Sequence, residues 1–139
     1  MIFGVCVSET KLVAVGMGLI ETPRFLCAIQ RRGRPFLERL FTVAELEYAA
    51  RKRAGHHNLA ARFAAKCAGR SVLRSAGLGR AGWREVEVTR RRSGEPALAV
   101  YGEALAALPG SDFRFQLSLT HDEDFAMASV WLERFLGAT

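Results

Sequence analysis

The chain has 139 residues, half of them hydrophobic, with 20 Lys and Arg against 14 Asp and Glu for a formal net charge of +6. That length sets a single domain, residues 1–139, with a core of its own, and a mean hydropathy near zero suits a globule in water. No apolar run approaches the roughly 20 residues of a bilayer span and no basic-then-apolar leader opens the chain, so the expected address is the cytoplasm with no membrane partner.

In chain order, residues 2–7 and 12–20 are apolar and β-branched, and Ser8-Glu9-Thr10-Lys11 between them has the polarity of a turn, which predicts two strands or a hairpin. Residues 24–39 are basic and partly apolar. Helical spacing there puts Arg24 and Arg31 one heptad apart on nearly the same face. Thr42-Val43-Ala44-Glu45 is a capping box, predicting a helix from Val43 to about Arg53. Gly55-His56-His57 then ends that helix, and the paired histidines read as loop residues because no Cys or carboxylate sits at metal spacing beside them.

Residues 58–68 form the stretch on which the rest depends. Leu59, Phe63 and Cys67 recur at i, i+4 and i+8 on one helical face, with Lys66 and Arg70 flanking it and Asn58 as the expected N-cap. Residues 75–82 hold three glycines and predict a turn able to approach a ligand closely. Strands follow over 83–89, with Val86 and Val88 inward, and over 97–101, separated by the turn Ser93-Gly94-Glu95-Pro96. A short helix is expected over 102–108. Phe113, Phe115, Leu117 and Leu119 alternate as a strand, Ala126, Ala128 and Val130 or their neighbours form its partner, and Ser118-Leu119-Thr120-His121-Asp122 lies between.

The three cysteines Cys6, Cys27 and Cys67 are an odd number at no metal spacing, which predicts reduced thiols and neither a disulfide framework nor a zinc site. The basic balance, with a pI near 9.9, calls for an acidic partner. No basic stripe interleaved with aromatics appears, which argues against nucleic acid.

The run Leu59-Ala60-Ala61-Arg62-Phe63-Ala64-Ala65-Lys66-Cys67-Ala68 resembles the signature helix of the holo-acyl-carrier-protein synthases, the small phosphopantetheinyl transferases, whose pattern is Arg-Phe-Ala-x-Lys-Glu-Ala. Other segments are similar in the same order: Gly16, Glu21, Arg24 and Phe25; Phe41, Thr42, Glu45, Leu46 and Tyr48; the Trp83-x-x-x-Glu87-Val88 and Gly94-x-Pro96 elements; and Ser118-Leu119-Thr120-His121, where the family has Ser-Leu-Ser-His. The resemblance covers Val15 to about Leu132 and leaves residues 1–10 as an N-terminal extension. It implies an α+β fold, a long helix packed on an antiparallel sheet, assembled as a homotrimer with sites between subunits. It also implies an acyl carrier protein as partner, docked on Arg24, Phe25 and Arg31, and coenzyme A or its pantetheine arm as cofactor.

The same resemblance places Gly18 and Cys67 where the family has the Asp and Glu that hold Mg²⁺. A competing register puts Ser8 at the first position but loses the Glu and Arg that follow, so neither register supplies a carboxylate. Gly18 offers no donor and a thiolate is a soft ligand for a hard cation, so no metal is expected. Phosphate binding by Lys66, Arg70 and Arg74 replaces it in this reading. Cys67 is expected close to His121 and activated by Lys66, forming a Cys-His pair that acts on a carrier-bound acyl thioester by isomerisation or cyclisation. His121 then moves protons, and Asp122 or Glu21 orients it. The alternatives are a phosphopantetheinyl transferase with substitute ligands and a non-catalytic carrier-binding protein, and Cys67 as a mere space-filler stands beside all three.

Overall fold

A computed structural model describes residues 8–138. Strand β1 (Ser8–Glu21) runs directly into helices α1 (Thr22–Arg32), α2 (Arg34–Leu40) and α3 (Val43–Ala50), followed by the long α4 (Gly55–Ser75). A 3₁₀ turn at Trp83–Glu85 leads to β2 (Val86–Arg90) and β3 (Pro96–Val100), then α5 (Gly102–Ala106), β4 (Phe113–His121) and β5 (Phe125–Ala138). The three-stranded sheet has the order β1-β5-β4, antiparallel throughout, and β2 and β3 form a separate antiparallel pair.

Alternation along β1 and β5 dictates what each sheet face does. Gly16, Gly18, Ala126, Ala128, Val130 and Leu132 point inward, are all buried, and are small or branched, so α4 lies close against them. The helix answers with Ala60, Ala61, Ala64, Ala65, Ala68 and Val72, each at most 2% exposed. The approach is closest at Gly18, where a Cβ would stand 2.1 Å from the Ala64 carbonyl oxygen; at Gly16 it would stand 2.5 Å from that of Ala68. Here glycine is required by space, since its own φ is ordinary.

Several local expectations give way to longer-range packing. Residues 8–11 form no turn; they pair with the end of β5, Ser8 opposite Ala138, and extend β1 at its start. The strand expected over 2–7 lies outside the described residues. The basic segment is two helices, broken at Gly33, whose φ of 66° suits glycine, and reopened by Pro35 in the first turn of α2. The Thr42/Glu45 capping box forms as expected, but α3 stops at Ala50. Asn58 is not the N-cap of α4: the helix begins three residues earlier, after Ala54, and Asn58 Nδ2 donates to the Ala54 carbonyl. Gly55 permits this, because a Cβ there would lie 2.4 Å from the Ala49 carbonyl oxygen.

Candidate functional site

Glu45 and Lys66 meet in the core, both side chains fully buried, with Lys66 Nζ 2.5 Å from Glu45 Oε1. The same carboxylate accepts from the backbone N–H of Thr42 at 3.0 Å and of Val88 at 3.0 Å, so one side chain joins α3, α4 and β2. Burial pulls the Lys66 pKa down and Glu45 pulls it back up. Lys66 is therefore not available at the surface as a phosphate ligand, which corrects the sequence expectation. The sequence accounted for Glu45 locally, by its capping box, and carried no signal of this second partner.

One turn further along α4 the picture changes. Arg70 donates from Nε to the Ala81 carbonyl at 2.8 Å, and its guanidinium carbon lies 3.7 Å from the centre of the Trp83 ring. Burial lowers its pKa, Cys67 raises it, and Arg74 and Arg80 lower it by repulsion. Arg74 and Arg80 are exposed, and among the described residues no carboxylate pairs with any of the three. Arg80 was not singled out by the sequence; it arrives from the glycine-rich turn, where Gly77 and Gly79 adopt φ of 75° and 87°.

Cys67 is half-buried beside this cluster. Burial raises its pKa above the usual 9.0 and Arg70 opposes that only in part, so the thiol is held neutral and the expected activated thiolate is not formed. Nor does the fold bring Cys67 to His121. Gly16 packs on Ala68, next to Cys67, whereas His121 pairs with Ala126 at the level of Ile20. Four residues along a strand separate those levels by about 13 Å, and no hydrogen bond joins the two side chains.

Asp122 lies beside His121 at the far end of the sheet, but Glu21 does not join them: it pairs with Phe125, which faces outward, whereas His121 pairs with Ala126, which faces inward, and β5 runs between the two strands. Asp122 Oδ1 accepts from Asp124 N–H at 2.8 Å and Phe125 N–H at 2.7 Å. Those two N–H groups depress the Asp122 pKa, with a smaller contribution from His121. Glu21 faces Arg24 at 3.7 Å, a mostly exposed pair. Thr22 beside them is fully buried with its hydroxyl unpartnered. Ser8, the alternative in the competing register, sits at the opposite end of β1.

Arg24 and Arg31 stand exposed on α1 as expected, but Phe25 is a core residue, 5% exposed. Its ring stacks on Phe63 at 5.1 Å and forms the floor of a cavity of about 410 Å³ whose lining also includes Leu19, Glu21, Arg24 and Phe125. A second cationic group went unforeseen: Arg62, Lys52 and Arg90 lie 4.1, 5.1 and 5.0 Å from the Tyr48 ring centre. Arg62 is 5% exposed and its Nε is unpartnered.

The residues at the metal position do not fit Mg²⁺. Gly18 has neither an oxygen donor nor room for a side chain, and a neutral thiol at Cys67 is a poor ligand for a hard ion. Among the described residues no three His, Cys, Asp or Glu side chains cluster as a cation site.

The outer sheet face is apolar and open. Val15, Met17 and Leu19 on β1 and Phe125, Met127 and Trp131 on β5 alternate outward, each at least 40% exposed. No described helix is long and apolar enough to cross a membrane.

No protein-family model matches the chain. It is 37% identical over 123 residues to a holo-[acyl-carrier-protein] synthase of Koribacter versatilis, covering 88% of this chain and 98% of the relative. The synthase of Geobacter metallireducens is 37% identical over 127 residues, with the same coverage. Among solved structures, the Chronobacterium ammoniagenes ACPS–CoA complex superposes with a TM-score of 0.75 at 32% identity, covering 93% of this chain and 99% of that one.

Proposed function

The chain belongs to the holo-[acyl-carrier-protein] synthase family, and from that membership we propose that it docks an acyl carrier protein and binds coenzyme A, without carrying out Mg²⁺-dependent phosphopantetheinyl transfer. The observation that carries the reading is the contact at Gly18. Phosphoryl transfer depends on positioning and charge neutralisation, and the strand has closed on α4 where a metal-binding side chain would stand. Surplus cationic groups remain at the surface: Arg70, Arg74 and Arg80 beside Cys67, and Lys52 and Arg90 near Tyr48. An anionic ligand such as coenzyme A answers both. The exposed Arg24 and Arg31 suit an acidic carrier helix.

Isomerisation or cyclisation of a carrier-bound thioester through Cys67 and His121 finds less support, because the thiol is held neutral and the two residues lie apart in one subunit. Only a second copy would bring a His121 to a Cys67. The open apolar face supplies a surface for the homotrimer that such pairing needs, and Trp131→Glu is expected to leave a monomer in size-exclusion chromatography with light scattering.

Apo carrier protein, coenzyme A, Mg²⁺ and the purified chain, followed by intact-mass spectrometry, test the reading. The expected result is no added phosphopantetheine arm together with a carrier complex visible by light scattering. Transfer at catalytic enzyme concentration overturns it.

A further inference from the structure

We infer that the Arg70, Arg74 and Arg80 cluster is a metal-independent diphosphate grip, in which guanidinium groups supply the positive charge that a divalent cation would otherwise bring. The inference rests on the proposed binding of a coenzyme A-type ligand and specifies which group of that ligand is held, and by what.

The contrast with the other ion pairs motivates it. Arg24, Arg34, Lys66 and Arg134 each face a carboxylate within 4 Å. Arg70, Arg74 and Arg80 instead face one another, and gathering three like charges costs free energy in the unliganded protein that a polyanion relieves. Arg70 and Arg74 are one helical turn apart, so their stems share a face of α4. Arg80 reaches the same place from the glycine-rich turn after that helix.

Arg70 is also oriented in advance. Its Nε is engaged by the Ala81 carbonyl and its plane rests on Trp83, which leaves the two terminal nitrogens as the free edge. A guanidinium edge donates two parallel hydrogen bonds to one phosphate, and neighbouring guanidinium groups meet the next, so the geometry suits linked phosphates better than a single one. Cys67 contributes no competing charge, because burial keeps it a thiol. The closure of β1 on Ala64 removes the room for a metal-binding side chain at Gly18. Charge for the ligand must therefore come from the guanidinium groups.

The test is titration of coenzyme A by calorimetry in EDTA and again in millimolar Mg²⁺. Trp83 fluorescence in a Trp131→Phe background serves as a second readout. Affinities that agree within about twofold in the two buffers, and a loss of about tenfold in Arg70→Gln, are expected. Inorganic pyrophosphate should compete better than orthophosphate. Arg74→Gln and Arg80→Gln, both at exposed positions, give smaller losses and carry the test if Arg70→Gln does not fold. Binding that all three substitutions leave unchanged overturns the metal-independent grip while leaving the proposed function standing; binding that requires Mg²⁺ overturns the grip and also reopens the metal position on which the proposed loss of transfer rests. Absence of binding in both buffers removes the two together.

Discussion

Lys66 and Arg70 are one turn apart on the same helix and have opposite surroundings. Lys66 is sealed in the core with a carboxylate that also accepts from two backbone N–H groups. Arg70 is half-buried, held by a carbonyl and an indole, and crowded by two more guanidinium groups. The sequence pattern treats both as basic residues flanking a packed face. What separates them is whether their charge is answered inside the protein, so Lys66 serves the fold and Arg70 is left for a ligand.

The sharpest way to break this contrast is to remove the answer to Lys66. Glu45→Ala strands a buried cation, releases the α3 cap and orphans the Val88 N–H. It should cost about 3–5 kcal/mol, and the unfolding midpoint followed by circular dichroism should fall by more than about 10 °C. Replacing both partners together, as Glu45→Leu with Lys66→Met, should recover much of that loss. A Glu45→Ala midpoint matching the parent would mean the pair contributes nothing.

Gly18→Ala probes the strand-helix contact next to it. Its Cβ meets backbone, which cannot rotate away, so a destabilisation of about 1–3 kcal/mol is expected in denaturant melts. A neutral result would reopen the space on which the loss of the metal position is argued. On the ligand side, Arg24→Glu with Arg31→Glu should weaken carrier binding about tenfold or more with an unchanged melting temperature. Interferometry on immobilised carrier protein reads that directly.

Smaller effects follow the shifted acids. In a chain carrying Cys6→Ser and Cys27→Ser, alkylation of Cys67 by iodoacetamide should stay slow at neutral pH and rise only above the ordinary thiol pKa of 9.0, since its folded value is raised. The linked stability is complete below pH 9.0 and is lost as pH rises through the folded value. A fast reaction at pH 7 would restore the thiolate reading. Asp112 behaves oppositely: the hydrogen bond from Arg134 at 2.8 Å depresses its pKa, so its contribution is present above the usual 3.8 and fades as pH falls through the folded value. Asp112→Asn should flatten the acid limb of the melting curve slightly.

Much of this was legible in the residues because it is local. The Thr42/Glu45 box and the alternation of β4 declare themselves within a few positions, whereas the spacing marked Leu59, Phe63 and Cys67 as the packed face of α4 and the alanines beside them are what meet the sheet. Distance along the chain explains what was not. Polar residues 8–11 look like a turn until Arg134 to Ala138 supply their partners, and the start of α4 depends on how closely Gly55 can pass Ala49. At the site, the absent carboxylate at Gly18 could be read, but the absent space could not, because it is set by the backbone of Ala64. Glu45 looked complete as a cap, which hid its tie to Lys66 across 21 positions.

The sheet order has a consequence for how the molecule is made. Among the described residues β1 has β5 as its one ladder neighbour, so the strand synthesised early waits for the strand synthesised late. At about 5–20 residues per second, the stretch from Glu21 to Phe125 takes roughly 5–20 s to emerge from the ribosome. Throughout that interval the backbone N–H and C=O groups of β1 that will pair with β5 have no ladder partner, which gives a nascent-chain chaperone an extended, unpaired strand to shield.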